Sequence, residues 1–282
     1  MTSGDLIDQL GTTLDRDGLA MDLANIASQA GAAVMKVYQD GFEVIAKDDG
    51  SPLTKADLAA DEIVAQGLVS IAPNIPILSE ETAETVDPKD LGDLFFVVDP
   101  LDGTREFVAQ NGDFSVNIAL VENGTPIVGV VYAPAHHKMW FAGDSAYAAK
   151  VTPGQNVDPS SIRTISTCAE PRQSVRAVAS RSHRDKQTEA FLHKFTKCDM
   201  VAIGSALKFC LVAEGEADVY PRYSPTMVWD TAAGIAVLQA AGGMVLDEKG
   251  APLKVRFGAS GWRNGAFTAW GCSKIKESAT QE

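Results

Sequence analysis

Residues 94–107 carry the sequence LFFVVDPLDGTREF, which joins an apolar segment to two carboxylates. The first five of these residues are all apolar, as in a strand that is buried on both faces. Pro100 has no N–H group, so the hydrogen-bond ladder of this strand is expected to stop there and the chain to turn. Such a turn can point Asp99, Asp102 and the Leu101 carbonyl toward one place. Oxygen ligands of this kind are what Mg²⁺ and other hard divalent cations prefer.

Gly103 and Thr104 follow at a predicted helix start, where outward-facing N–H groups favour a phosphate. Two other interpretations of this segment stay open. One is an Asp-Pro turn in which Asp102 caps the helix. The other is a phosphatase of the haloacid-dehalogenase type, but its two aspartates are two residues apart, whereas the spacing here is three.

The rest of the chain alternates between helical and strand patterns. The spacing of apolar residues predicts helices at 19–37, 54–71, 186–195, 205–214 and 230–241. Short apolar runs predict strands at 42–46, 75–78, 94–98, 114–122, 126–132, 139–142, 146–149, 177–180, 200–203, 218–222 and 244–247. Asn123-Gly124 is typical of a tight hairpin turn. The order predicts an α+β lobe followed by an α/β lobe.

We expect a flexible leader at residues 1–17, an N-terminal lobe at 18–155 that holds the metal site, and a C-terminal lobe at 156–282 that binds substrate. Lys and Arg total 24 and Asp and Glu total 37, which gives a net charge of −13. This balance argues against a nucleic-acid partner, which needs a basic face. It still permits a small phosphorylated substrate if metal ions lie between the substrate and the acidic protein.

The sequence shows no pattern of disulfide-forming cysteines, no signal peptide and no membrane segment. The four cysteines are widely spaced, which predicts no disulfide framework and fits a reducing cytosol. The N-terminus has no signal-peptide pattern. The longest apolar stretch, residues 231–246, is too short and too interrupted to predict an integral membrane segment.

Two further acidic motifs stand where predicted elements begin or end. Glu80-Glu81 follows the predicted strand at 75–78, and Asp230 lies in the motif WDTAAG at 229–234, which opens an apolar helix. Taken alone, the first is typical of a solvated loop and the second of a charge favoured by the helix dipole. Together with Asp99 and Asp102, they put four carboxylates at the ends of elements, where sites are commonly built.

These three motifs, in this order and at these separations, resemble those of the inositol-monophosphatase superfamily of metal-dependent, lithium-sensitive phosphatases. The resemblance covers nearly the whole chain after the leader. The segments SPLTKAD (51–57), REF (105–107) and DVYPR (218–222) look most like the 3′(2′),5′-bisphosphate nucleotidase branch. The resemblance implies a layered αβαβα sandwich of the inositol-monophosphatase and fructose-bisphosphatase type, with the site in the cleft between two lobes.

Positional matches to the family imply roles for individual residues. The implied ligands of two or three Mg²⁺ ions are the side chains of Glu80, Asp99, Asp102 and Asp230 and the carbonyl of Leu101. The implied catalytic residues are Asp57, Thr104 and Glu80, with Asp57 as the partner of the Thr104 hydroxyl. The implied substrate-binding residues are Gly103, Thr104, His183, Ser205, Lys208, Arg222 and Asp230.

Simpler interpretations of three of these residues also stay open. Thr54 and Asp57 fit a capping box at the start of a helix. Lys208 fits a solvated helix charge, and His183 fits a surface loop.

The implied reaction is hydrolysis of the 3′-phosphate of adenosine 3′,5′-bisphosphate to AMP by a metal-activated water, with the sulfated form as a further substrate. The alternatives are an inositol monophosphatase or related sugar phosphatase on the same scaffold, and an inactive phosphate-binding sensor. The expected partner is a small phosphorylated nucleotide, and the expected oligomeric state is a monomer or homodimer. The expected location is the cytoplasm, and some bacterial relatives associate peripherally with the inner membrane.

Overall fold

A computed structural model describes residues 14–46, 52–168, 170, 173–179 and 186–279. Its helices are α1 (Arg16–Asp40), α2 (Lys55–Ile71), α3 (Thr104–Val108), α4 (Lys186–Leu192), α5 (Leu207–Ala213), α6 (Ala232–Ala240) and α7 (Ser273–Ser278). Its strands are β1 (Ile45–Ala46), β2 (Pro52–Leu53), β3 (Ile77–Ser79), β4 (Leu94–Asp102), β5 (Ser115–Glu122), β6 (Thr125–Ala133), β7 (Lys138–Ala142), β8 (Ala146–Lys150), β9 (Arg163–Thr164), β10 (Val175–Ala179), β11 (Cys198–Ala202), β12 (Val219–Arg222), β13 (Thr226–Met227), β14 (Met244–Asp247), β15 (Arg263–Asn264) and β16 (Phe267–Trp270).

The elements form five layers around two sheets. The seven-stranded sheet has the order β3-β4-β5-β6-β7-β8-β9, and the five-stranded sheet has the order β11-β10-β12-β16-β14. Helices α1 and α2 cover the outer face of the first sheet. Helices α5 and α6 fill the space between the sheets, and α4 and α7 cover the outer face of the second. This arrangement confirms the expected αβαβα sandwich.

Strand β4 lies inside the molecule with both faces covered, as its apolar run predicts. Leu94, Phe96 and Val98 pack into the core beneath α1 and α2. Phe95 and Val97 pack into the core shared with α5 and α6. Since side chains alternate along a strand, only a continuous apolar run can satisfy both neighbouring layers.

The predicted turn at Pro100 is wrong, because β4 continues to Asp102. The pairing with β5 changes register instead, from Asp99 opposite Asn117 to Asp102 opposite Ser115. One extra residue on β4 therefore forms a bulge, which accommodates the missing N–H group and changes the direction of the side chains that follow.

Three predicted boundaries shift in the structure. Helix α1 begins at Arg16, with Asp15 accepting a hydrogen bond from Gly18 N at 2.9 Å, so residues 16 and 17 of the expected leader are helical, while residues 1–13 lie outside the described residues. Helix α6 begins at Ala232 and not at residue 230. Strand β9 still pairs with β8, so the first sheet runs past the lobe boundary expected at 155.

Among the described helices, none has both the length and the apolar character needed to cross a bilayer.

Helix α6 approaches strand β6 closely at Gly129. A Cβ atom on Gly129 would lie 2.7 Å from the Ala233 carbonyl oxygen and 2.8 Å from the Ala236 Cβ. We expect Gly129→Ala to lower the free energy of unfolding by about 1–3 kcal/mol, because the helix backbone must move to admit the methyl group. Urea denaturation measures this change.

The matched control is Gly258→Ala, because a Cβ at Gly258 meets nothing within 4 Å. Both substitutions restrict the unfolded chain in the same way, so their difference isolates the packing at Gly129. Equal stability of the two variants would contradict a close contact between β6 and α6.

Candidate active site

A cleft of about 260 Å³ opens at the end of β4. Its walls contain all of the predicted site residues except Asp57 and His183: Glu80, Asp99, Leu101, Asp102, Gly103, Thr104, Ser205, Lys208, Arg222 and Asp230. The fold therefore brings together residues that are far apart in sequence. His183 lies outside the described residues.

Three carboxylates meet at the floor of the cleft. Asp99, Asp102 and Asp230 each have an oxygen atom, and these atoms all lie within 4.8 Å of one another. Glu80 lines the same cleft but does not belong to this trio. Asp99 and Asp102 come from β4, whereas Asp230 comes from the turn that precedes α6.

The carboxylates perturb one another because they lie close together, with Asp99 buried and Asp102 and Asp230 half-buried. Burial raises the pKa of Asp99 well above its usual value, and the charges of Glu80, Asp102 and Asp230 add to this effect. Burial, followed by the charge of Asp102, raises the pKa of Asp230 to about 8. Burial also raises the pKa of Asp102 to about 6, although the Lys208 ammonium opposes the change. Negative charge is therefore costly at this place.

This donor set fits a hard divalent cation. The trio offers carboxylate oxygens and neither nitrogen nor sulfur, which is the chemistry that Mg²⁺ takes from proteins. A cation there would offset the cost of keeping negative charge in this partly desolvated place, which raises these pKa values.

The bulge in β4 fixes the direction of its two aspartates. Asp99 Oδ1 accepts a hydrogen bond from the Leu101 N–H at 3.1 Å. Asp102 Oδ2 accepts hydrogen bonds from the Ala206 N–H at 2.5 Å and from Asn117 Nδ2 at 3.4 Å. Because Ala206 directly precedes α5, Asp102 joins the end of β4 to the start of that helix.

Two polar residues on β5 support Asp102, and the sequence analysis missed both. Ser115 Oγ donates to Asn117 Oδ1 at 2.9 Å and lies 3.1 Å from Ser205 Oγ. Ser115 and Asn117 are fully buried. Two polar residues two positions apart in an otherwise apolar strand share one face, and buried polar groups need partners. This spacing of two polar residues in the predicted strand is the sequence feature that could have indicated Ser115 and Asn117.

The turn after β4 requires a glycine. Gly103 has a φ of 90° and is the N-cap of α3, with no side-chain capping bond. Asp102 does not cap this helix, so that alternative is wrong. The Thr104 hydroxyl donates to the Leu101 carbonyl at 3.2 Å.

The structure does not pair Thr104 with Asp57. Asp57 Oδ2 accepts hydrogen bonds from Thr54 N at 2.7 Å and from Thr54 Oγ1 at 2.8 Å. This is the capping box at the start of α2, so the simpler interpretation of Asp57 is confirmed. The Asp57 carboxylate is therefore used in local capping. The Thr104 hydroxyl instead donates to the carbonyl of Leu101, three residues earlier in the chain.

Lys208 is buried and not a solvated helix charge, since only 5% of its surface is exposed. Its Nζ atom donates to the Ser205 carbonyl at 2.6 Å and lies 5.5 Å from the centre of the Tyr220 ring. Burial lowers the pKa of Lys208 to about 8, against the raising effect of Asp102. Arg222 Nε donates to the Ser224 carbonyl at 3.0 Å, on the same side of the cleft.

Comparison with known proteins agrees with this architecture. Residues 16–278 match the sequence model of the inositol monophosphatase family. The 3′(2′),5′-bisphosphate nucleotidase CysQ of Shigella flexneri is 44% identical over 234 residues, which are 82% of this chain and 91% of that protein. CysQ of Aggregatibacter actinomycetemcomitans is 32% identical over 237 residues, 83% of this chain and 86% of that protein.

Solved structures show the same fold. The crystal structure of CysQ from Bacteroides thetaiotaomicron, a bacterial member of the inositol monophosphatase family, superposes with a TM-score of 0.78 at 36% identity and covers 92% of this chain and 99% of that one. An inositol monophosphatase from Anabaena shares the fold with a TM-score of 0.71 at 24% identity, over 94% of this chain and 95% of that one. The chain belongs to the inositol monophosphatase family.

Proposed function

We propose that this chain is a Mg²⁺-dependent phosphatase that removes the 3′-phosphate of adenosine 3′,5′-bisphosphate to give AMP, with the sulfated form as a further substrate. The observation that carries the proposal is the convergence of Asp99, Asp102 and Asp230 in a cleft that also contains the buried cation Lys208. The names of the CysQ relatives support this choice of substrate.

The acidic residues of the cleft would hold two or three Mg²⁺ ions. We assign Glu80, Asp99 and the Leu101 carbonyl to one ion, and Asp99, Asp102 and Asp230 to a second. When bound, Mg²⁺ supplies positive charge that offsets the charge of the phosphate and makes water a better nucleophile.

The chain's own residues would orient the reactants. Gly103 and Thr104 would hold phosphate oxygens through backbone N–H groups at the turn after β4. Glu80 and the Thr104 hydroxyl would orient the attacking water, and the Glu80 carboxylate would accept its proton. A role for Asp57 in this step requires the Thr104 hydroxyl to turn away from the Leu101 carbonyl, its present acceptor.

The second lobe would select a substrate with a second phosphate. Lys208 and Arg222 are cations that line the same cleft, and Ser205 adds a hydroxyl. A bisphosphate carries an anionic group beyond the one that is hydrolysed, so cations outside the metal site favour it over an inositol monophosphate. We assign His183 to the same role. We propose that the protein works as a monomer or homodimer in the cytoplasm.

The substrate assay separates the proposed activity from its closest alternative. Purified protein with Mg²⁺ is tested against adenosine 3′,5′-bisphosphate, inositol 1-phosphate and fructose 1,6-bisphosphate. We expect the nucleotide to give the highest kcat/KM. Asp99→Asn protein, purified in the same way, controls for contaminating phosphatases. Faster hydrolysis of inositol 1-phosphate would refute the nucleotidase proposal.

A further inference from the structure

The turn that carries Asp230 is tied to a distant strand. Strands β13 and β15 pair antiparallel, with Thr226 opposite Asn264. Beyond the pair, the Val228 N–H donates to the Trp262 carbonyl at 2.9 Å. The turn that leads to Asp230 is therefore held by residues more than thirty positions later in the chain.

The Asn264 side chain is the centre of this attachment. Only 7% of Asn264 is exposed. Its Nδ2 atom lies 3.0 Å from the Met227 carbonyl oxygen, 3.0 Å from Thr231 Oγ1 and 3.3 Å from Thr226 Oγ1. A carbonyl oxygen can only accept a hydrogen bond, so the NH₂ group must be the end of the amide that faces Met227.

These contacts lie on both sides of Asp230 in the chain. Met227 comes before it, and the Met227 N–H itself donates to Asp230 Oδ2 at 2.9 Å. Thr231 comes directly after it, and its hydroxyl donates to the Val228 carbonyl at 3.1 Å, which leaves its oxygen to accept from Asn264. Asn264 thus links the two ends of the turn.

We propose that Asn264 is a positioning residue that directs the Asp230 carboxylate toward Asp99 and Asp102. It does so through Met227 and Thr231 and without touching the reacting groups. The inference rests on the proposed function for the role of Asp230 as a metal ligand, but it does not depend on which phosphate ester is hydrolysed. Removing the amide would loosen the turn and thereby weaken cation binding.

The test compares Asn264→Ala and Asn264→Asp with the wild type in the full chain. Asn264→Asp has the same shape, but it has no N–H group and sets an oxygen against the Met227 carbonyl. Mn²⁺ binding to the free protein is measured by electron paramagnetic resonance. We expect both variants to bind Mn²⁺ about 10- to 100-fold more weakly, as loss of a group that orients a metal ligand generally does. The KM for substrate at saturating Mg²⁺ should stay close to that of the wild type.

Val245→Ala controls for a general loss of stability, because Val245 lies in the core between the sheets and contributes no side chain to the turn. We expect it to lower the melting temperature but leave Mn²⁺ affinity unchanged. Wild-type Mn²⁺ affinity in both Asn264 variants, or an equal loss of affinity in Val245→Ala, would overturn the proposal. A wild type that binds Mn²⁺ but does not hydrolyse adenosine 3′,5′-bisphosphate would refute the proposed function alone.

Discussion

Asp230→Asn is expected to lower turnover by about 100-fold or more, because loss of a direct ligand should cost at least as much as loss of a group that orients one. The asparagine oxygen can still accept the hydrogen bond that Met227 N donates to Asp230. The turn should therefore keep its shape, and the loss should come from the missing charge. The same substitution should stabilise the metal-free protein in alkaline buffer, because it removes one of three clustered carboxylates that repel one another.

These opposite effects on activity and stability distinguish a metal ligand from a structural aspartate. Turnover is measured with Mg²⁺, and the melting temperature is measured in EDTA at about pH 9, where Asp230 is ionised. Asp199→Asn is the matched control, since Asp199 lies exposed on the edge strand β11. Near-normal turnover of Asp230→Asn, or a lower melting temperature in EDTA than the wild type, would refute the assignment of Asp230.

Stabilisation by Mg²⁺ is expected to increase with pH. The folded protein raises the pKa of Asp102 to about 6 and of Asp230 to about 8, from an ordinary value of 3.8. The folded state therefore keeps protons that the unfolded chain has released, and these groups lower stability as pH rises between about 4 and 8. Above that range the carboxylates are charged and can bind a cation directly. Near pH 5, Mg²⁺ must displace protons from Asp102 and Asp230 before it can bind.

The melting temperature with and without Mg²⁺ measures this linkage. Mg²⁺ at 100 times its Kd adds about 2.7 kcal/mol of stability, which corresponds to roughly 5 °C for a protein of this size. We expect a rise of this order near pH 9 and a much smaller rise near pH 5. EDTA samples with NaCl at matched ionic strength serve as controls. An equal rise at both pH values would contradict the role of these carboxylates.

Residues close together in sequence allowed the most accurate predictions. The run LFFVV predicted a strand buried on both faces, and Leu94–Val98 pack into two different cores. Asn123-Gly124 predicted the hairpin between β5 and β6, and both residues have positive φ as such a turn requires. These features depend on local propensity and on the period of apolar residues, which one sequence contains.

Features that depend on tertiary packing were harder to predict. Pro100 argued for a turn, but a bulge in β4 itself accommodates the proline. Lys208 has the charge of a surface residue, yet it follows Leu207 in the apolar segment LKFCLVA and is buried. An isolated cation among apolar helix residues is a weak signal of a buried site. The position of Asp230 depends on Asn264, which is distant in the sequence, and no pattern near Asp230 indicates this contact.

Anomalous diffraction from a crystal soaked in Mn²⁺ tests most directly whether residues from both lobes build one metal site. We predict an anomalous peak among the carboxylates of Asp99, Asp102 and Asp230. An Asp230 carboxylate turned away from an ion held by Asp99 and Asp102, or Mn²⁺ bound only outside this cleft, would contradict the shared site.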